Sequence, residues 1–205
     1  LQLTGDVSPA CFKLLFGVLK HNTSLRSLLL ANTRFDGVAA AFLHTALLEN
    51  RTLELLDLTG NAIADARDLR GISLVSAAVA AHPKIQVVKV DGVALPVPKL
   101  RGQPEATAGG AATGKSRLAG LLQKAAKDEA GERRKMRAPD AELLDVREWT
   151  LGRLSGHVIG VLLKENSILA ELNLTSNPLG VTGTTSVING LGDAPMRSLH
   201  LTSMG

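Results

Sequence analysis

With 205 residues, 45% of them hydrophobic, the chain has enough apolar material to bury a sizeable core, and its length admits one domain or two. Aromatic residues make up only 2% and tyrosine is absent, which argues against a surface that reads single-stranded nucleic acid by stacking. The single cysteine excludes an internal disulfide, and the apolar runs are broken by Lys, His or Glu before they reach membrane-spanning length, so a soluble intracellular protein is expected. The formal charge of +4 is local: residues 96–140 hold ten Lys or Arg against five Asp or Glu, out of 23 and 19 in the whole chain.

Taken in order, the sequence repeats with a period near 28 residues. The clearest copy is Leu53, Leu56, Leu58, Asn61 and Ile63, where alternating aliphatics predict a short strand with one face inward. Asn61 follows at a corner, where its amide can bond the turning backbone. Leu1 and Leu3, with Asp6 at the corner, close a strand before it, and Leu25, Leu28, Leu30 and Phe35 form the next, with Thr33 in place of asparagine. Later copies are Ile85, Val88, Val90 and Val93; Ala141, Leu144, Val146, Trp149 and Leu151; and Leu169, Leu172, Leu174, Asn177 and Leu179. A partial copy, Met196, Leu199, Leu201 and Met204, ends the chain, which also lacks an initial methionine and is therefore expected to be part of something longer.

Between strands the apolar period lengthens to about four, the switch expected when a helix follows. A small residue is followed by aliphatics four and eight positions on: Ala39, Leu43, Leu47; Gly71, Val75, Val79; Ser155, Ile159, Leu163; and Gly183, Val187, Leu191. Cys11, Leu15 and Leu19 fit the same pattern, which predicts a buried structural thiol. The helices are expected to end at Asn22, Asn50 and Asn166, because asparagine tolerates the left-handed conformation common at helix exits.

The units Lys20–Arg34, Glu49–Asn61 and Glu165–Asn177 resemble the ribonuclease-inhibitor class of leucine-rich repeats. That resemblance implies an α/β horseshoe with a parallel sheet on the concave side and helices on the convex side. It covers most of residues 1–95 and 141–205, and Lys20–Arg34 is similar to a repeat of the tropomodulins, which cap actin filaments. NOD-like receptors and Ran GTPase-activating proteins share the repeat class.

Residues 96–140 stand apart as an insertion, since the repeat starting at Ile85 runs 56 residues to the next start at Ala141. Residues 96–113 are rich in Pro, Gly, Ala and Thr and predict a mobile loop, after which Gly114, Leu118 and Leu122 restore the helical trio and lead into a basic helix. Gly109 to Ser116 formally matches a phosphate-binding loop, with Gly109, Gly114, Lys115 and Ser116 at its defining positions. Its context is wrong, because no buried strand precedes it and Gly114 is already accounted for by the repeat register. The cluster Arg133, Arg134, Lys135 and Arg137 has three readings: a solvated helix end, a contact to an acidic protein surface, or a nucleic-acid or import signal.

Residues that alternate with the core pairs line the opposite face of each strand. Leu29, Leu55, Val87 and Leu143 fall there on neighbouring strands and predict an exposed apolar binding patch, accompanied by Asp57, Lys89, Asp145 and Arg147. Trp149 at its corner is either a core plug or an exposed anchor. The five histidines fall in different repeats without metal-ligand spacing, and Asp65 and Asp68 read as helix-start charges, so neither catalysis nor a cofactor is expected. The function expected is a protein-binding scaffold or architectural subunit of a larger cytoplasmic assembly, cytoskeletal or ciliary in setting. The alternative is a regulator of a nucleotide cycle, as a GTPase-activating repeat protein or through the Gly109–Ser116 loop.

Overall fold

The computed structural model describes residues 1–63, 69–103, 143–192 and 195–202. Its elements are α1 (Pro9–His21), β1 (Ser27–Leu29), α2 (Gly37–Glu49), β2 (Leu55–Asp57), α3 (Arg70–Ala81), β3 (Val87–Val90), β4 (Val93–Pro96), α4 (Val97–Leu100), β5 (Leu143–Asp145), α5 (Arg153–Leu163), β6 (Glu171–Asn173), α6 (Gly180–Leu191) and β7 (Ser198–His200). Strands β1, β2 and β3 pair in parallel with Leu28, Leu56 and Val88 in register. Strands β5, β6 and β7 form a second parallel sheet with Leu144, Leu172 and Leu199 in register. The helices form one row, α1 on α2, α2 on α3, α3 on α5 and α5 on α6. The inward strand residues Leu28, Leu30, Leu56, Leu58, Val88 and Val90 are at most 1% exposed and share one core with Phe12, Leu43, Val75 and Ile159.

Two sets of side-chain amides hold each unit to the one before it. At the strand corner, Asn61 Nδ2 donates to the carbonyls of Leu30 (2.7 Å) and Leu58 (3.0 Å), while its Oδ1 accepts from the amides of Thr33 (2.9 Å) and Phe35 (3.0 Å). Asn177 repeats this between Val146, Leu174 and Leu151. Backbone groups that a strand would pair and a corner cannot are thereby satisfied in the interior, where leaving them bare costs ~1–3 kcal/mol each. Thr33, which stands where asparagine was expected, is fully buried and bonds the Leu30 carbonyl through its hydroxyl.

The second set sits at the helix ends. Asn50 Oδ1 accepts from the amides of Thr52 and Leu53, and its Nδ2 donates to the carbonyls of Leu19 and Asn22 in the preceding unit. These residues are not left-handed as expected: Asn22 and Asn50 have φ of −74° and −63°, and their extended backbone leads directly toward the strand. Asparagine is placed there for its side chain, which satisfies its own turn and the neighbour's helix end together. His82 occupies the same place, with no surface exposed, its Nδ1 accepting from the amides of Lys84 and Ile85 (both 3.2 Å) and its Nε2 facing Asn50 Oδ1. An imidazole lacks the two donors of an amide, and Arg101 supplies them, its guanidinium donating to the carbonyls of His82 and Val79.

Three expectations are corrected at and after β3. Val93 does not turn a corner; Asp91 and Gly92 take φ of 51° and 77°, the two left-handed positions of a tight hairpin, and β4 returns antiparallel to β3. Pro96 to Leu100, expected to open a mobile loop, complete β4 and form α4, with Val97 and Leu100 fully buried, because these apolar residues extend the core beside α5. Asp91, which alternation with Val87 and Lys89 would turn outward beside them, lies instead in the hairpin turn. Its carboxylate accepts from the Ser155 amide (2.8 Å) and hydroxyl (2.9 Å), capping α5, whose own cap residue Gly152 has no side chain to do so.

The helix row therefore continues from α3 to α5 while strand pairing, among the described residues, stops at β4 and resumes at β5. On the far side, Asn166 Nδ2 donates to the carbonyls of Lys99 and Leu100, so the short α4 serves α5 as the preceding helix end. Packing of α5 on α6 is close enough that a Cβ on Gly160 would collide with the Ser186 carbonyl and one on Gly190 with the Gly160 carbonyl. Cys11 is exposed, in contrast to the expected core thiol, because the residues of α1 turned inward are Phe12, Phe16 and Leu19 and no described helix precedes α1.

Two consequences are measurable. Burial, followed by the charges of Arg51 and Arg101, lowers the His82 pKa from 6.5 to about 4, so the neutral ring is the folded form. The unfolded chain takes up the proton first, and stability present above pH 6.5 is lost toward the folded value, to a limit of about 3 kcal/mol. His82→Asn is expected to remove that part of the acid sensitivity in urea titrations between about pH 7 and about pH 4, leaving the contribution of His157, whose pKa burial also lowers. Asp91→Ala is expected to cost about 1–2 kcal/mol and to speed amide exchange in the first turn of α5, measured by hydrogen exchange.

Candidate functional site

The strand face that does not meet the helices was the predicted binding surface, and its two halves differ. In the first sheet it carries two rows across the strands, Ser27, Leu55, Val87 and Pro96, then Leu29, Asp57, Lys89 and Ala94. Leu55 is 3% exposed and Val87 not at all, and with half-buried Leu29 and Ala94 they make a second small apolar cluster. The expected exposed patch is therefore closed at Leu55 and Val87. β4 contributes to this, since pairing with it makes β3 an interior strand and sets Pro96 directly beside Val87. Asp57 and Lys89, expected to be available to a partner, are 8% and 6% exposed and face each other at 3.8 Å, and the Asp57 carboxylate also accepts from the Thr59 amide. Such a pair is bound to its own neighbours, because exposing or breaking it leaves a charge without its partner.

The second sheet is open. Leu143 is 37% exposed, and Arg147, Glu171, His200 and Thr202 are exposed around the half-buried Asp145, Asn173 and Thr175. The Arg147 guanidinium donates to the Asp145 carboxylate through Nε at 2.9 Å and Nη2 at 2.6 Å, so the two side chains move as one polar unit. His200 Nε2 lies 2.9 Å from the Ser198 hydroxyl, and the Thr202 hydroxyl donates to that of Thr175. The resulting surface is mixed in polarity, with the apolar Leu143 at its edge. Trp149 is half-buried against the core.

Away from this face, His157 ties three helices. The Ser186 hydroxyl donates to the Thr182 carbonyl and so receives the His157 Nδ1 proton at 3.1 Å, leaving Nε2 to accept from the Ser73 hydroxyl at 3.1 Å. Burial, then the charge of Lys164, lowers the pKa of this imidazole, which suits a neutral structural link. A shallow cleft of 460 Å³ lies at the ends of α5 and α6, lined by Lys164, Glu165, Asn189 and Pro195 among others. Among the described residues no group of three or more His, Cys, Asp or Glu is placed to hold a metal ion, and no described helix is long and apolar enough to cross a membrane. Gly109, Gly114, Lys115 and Ser116, the basic cluster Arg133, Arg134, Lys135 and Arg137, and the acids Asp65 and Asp68 lie outside the described residues.

Sequence reasoning missed Asp91 and Arg101 as structural ties. The Asp91-Gly92 pair between two Val-rich runs was a readable hairpin signal, whereas nothing local marks Arg101 as a substitute for an asparagine amide.

The strand, amide-bonded corner and helix are the unit of a leucine-rich repeat, and the leucine-rich repeat family matches residues 49–66, the segment holding Asn50, β2 and Asn61. Among solved structures, leiomodin-1 actin-binding site 2 is similar to the chain, with 18% sequence identity and a TM-score of 0.42 over 91% of this chain and 76% of that one. No curated protein matches the sequence.

The difference between the two halves separates stability from surface. Val87→Asp places an unpaired charge in a dry site and is expected to cost upwards of ~3 kcal/mol in thermal or urea unfolding, whereas Leu143→Asp should stay within ~0.5 kcal/mol of the parent.

Proposed function

We propose that the chain is a leucine-rich-repeat solenoid, a horseshoe with its parallel strands on the concave side, that binds other proteins and serves as a non-catalytic scaffold or architectural subunit. The observation that carries this reading is the open face of β5 to β7. Three short parallel strands there display Leu143, Asp145, Arg147, Glu171, Asn173 and His200 at regular spacing. Such a surface suits recognition of an extended protein epitope, with Leu143 as an apolar anchor and Asp145 with Arg147 as a polar clamp. The setting is a larger assembly, and the likeness of Lys20–Arg34 to a tropomodulin repeat favours a cytoskeletal one. The buried first half of the face acts in this reading as the rigid base on which the second half is presented.

Affinity capture from cell extract tests it, comparing the parent chain with Leu143→Asp combined with Arg147→Glu. Loss of the captured proteins from a variant that keeps its circular dichroism and melting temperature is expected. An unchanged set of partners would exclude this face as the binding surface.

A further inference from the structure

Strand pairing sets the open face of β5 to β7 out as a grid. Leu143, Glu171 and Ser198 form one row across the strands, and Asp145, Asn173 and His200 form the next. Neighbours within a row stand roughly 4.8 Å apart and the two rows roughly 7 Å apart, because alternate residues of a strand share a face. Most polar groups of the grid are engaged by one another. The Asp145 carboxylate is held by the Arg147 guanidinium and amide, the Ser198 hydroxyl by His200, and the Thr175 hydroxyl by Thr202. Two groups on β6 are left over. Glu171, exposed at the centre of its row, has no ion-pair or hydrogen-bond partner for its carboxylate among the described residues. Asn173 accepts from the Thr175 amide through Oδ1 at 3.0 Å, while its Nδ2 has no acceptor among the described residues.

The surroundings of Glu171 suit a long basic side chain. Leu143 stands beside it in the row, 37% exposed, so the methylenes of a lysine or arginine can lie on Leu143 while the charged head meets the carboxylate. Asp145 is already neutralised by Arg147, which leaves Glu171 as the unbalanced charge of the two rows. The chain as a whole carries +4, so a cation is drawn here by the local carboxylate and not by the net charge. Glu171 and Asn173 also lie two residues apart on one strand, and residues n and n+2 of an extended ligand have the same spacing.

We propose that this face recognises an extended protein segment carrying a lysine or arginine with a hydrogen-bond acceptor two residues away. The cation pairs with Glu171, its stem lies on Leu143, and the acceptor receives the free Asn173 amide. An acidic segment is rejected, since it would bring like charge against Glu171. The proposal rests on the reading of the β5 to β7 face as the protein-binding surface and names the chemistry of what binds there.

Selection from a displayed library of random peptides of about ten residues, with the biotinylated chain as bait, tests it. The parent is expected to enrich peptides with a basic residue and an acceptor two positions from it. Glu171→Gln, at an exposed position and checked for native circular dichroism, should lose the basic preference and bind peptides selected by the parent about fivefold more weakly. Glu165→Gln makes the same change of charge away from this face and should keep both. Asn173→Asp retains the acceptor of the Thr175 bond and removes the donor, so it should lose the acceptor preference at the second position. A parent that enriches no peptides, or peptides without a basic residue, overturns the proposal, as does a basic preference that survives in Glu171→Gln. Peptides that still bind Glu171→Gln but are lost from Leu143→Asp combined with Arg147→Glu overturn this proposal alone and leave the face as the binding surface. Peptides indifferent to both variants overturn the two readings together.

Discussion

Each unit of this protein has to stop a helix and turn a strand inside the packed body, and the backbone groups freed at those two places must find partners away from water. Asparagine amides do both tasks, because one side chain carries two donors and an acceptor and is short enough to reach across adjacent turns. Asn61 and Asn177 work at the strand corners, and Asn22, Asn50 and Asn166 at the helix ends. The aliphatic rows that fill the core can stack only because these corners are satisfied. An apolar layer alone would leave a set of bare carbonyls at every repeat.

The consequence is clearest where the pattern changes. His82 keeps the acceptor half of the asparagine role and loses the donor half, and the missing donors arrive from Arg101, 19 residues on. Asp91 reaches from the β3–β4 turn to cap α5, 64 residues away in the chain. These ties, with Asn166 on the carbonyls of α4, let α5 follow α3 in the helix row even though β4 has replaced the next parallel strand. The fold tolerates an irregular repeat because the polar satisfaction at its corners is preserved by different residues.

The same change divides the outer strand face. Where β4 pairs with β3, Leu55, Val87, Asp57 and Lys89 are closed off and contribute to stability. In β5 to β7 the face is open and polar, which is the character expected of a surface that meets partners and remains in water between encounters.

Most of the repeating architecture was legible in the amino-acid order. Alternation over Leu53 to Leu58 marks the inward strand residues, the trios mark the helices, and Asn61 and Asn177 mark the corners, because each of these signals depends only on residues close in sequence. Whether Cys11, Val87 or Lys89 is buried was not legible, since the same outward-facing position is dry or wet according to what lies beside it. The roles of Asp91 and Arg101 were hidden for the same reason: a carboxylate and a guanidinium can serve any unpaired backbone group they reach. The sequence by itself determined the period, the inward faces and the corner chemistry, because these follow from local stereochemistry and hydrogen-bonding capacity. Only the tertiary structure decided which strand face stays open and which residues bridge the irregular repeat, because those depend on partners separated by tens of residues along the chain.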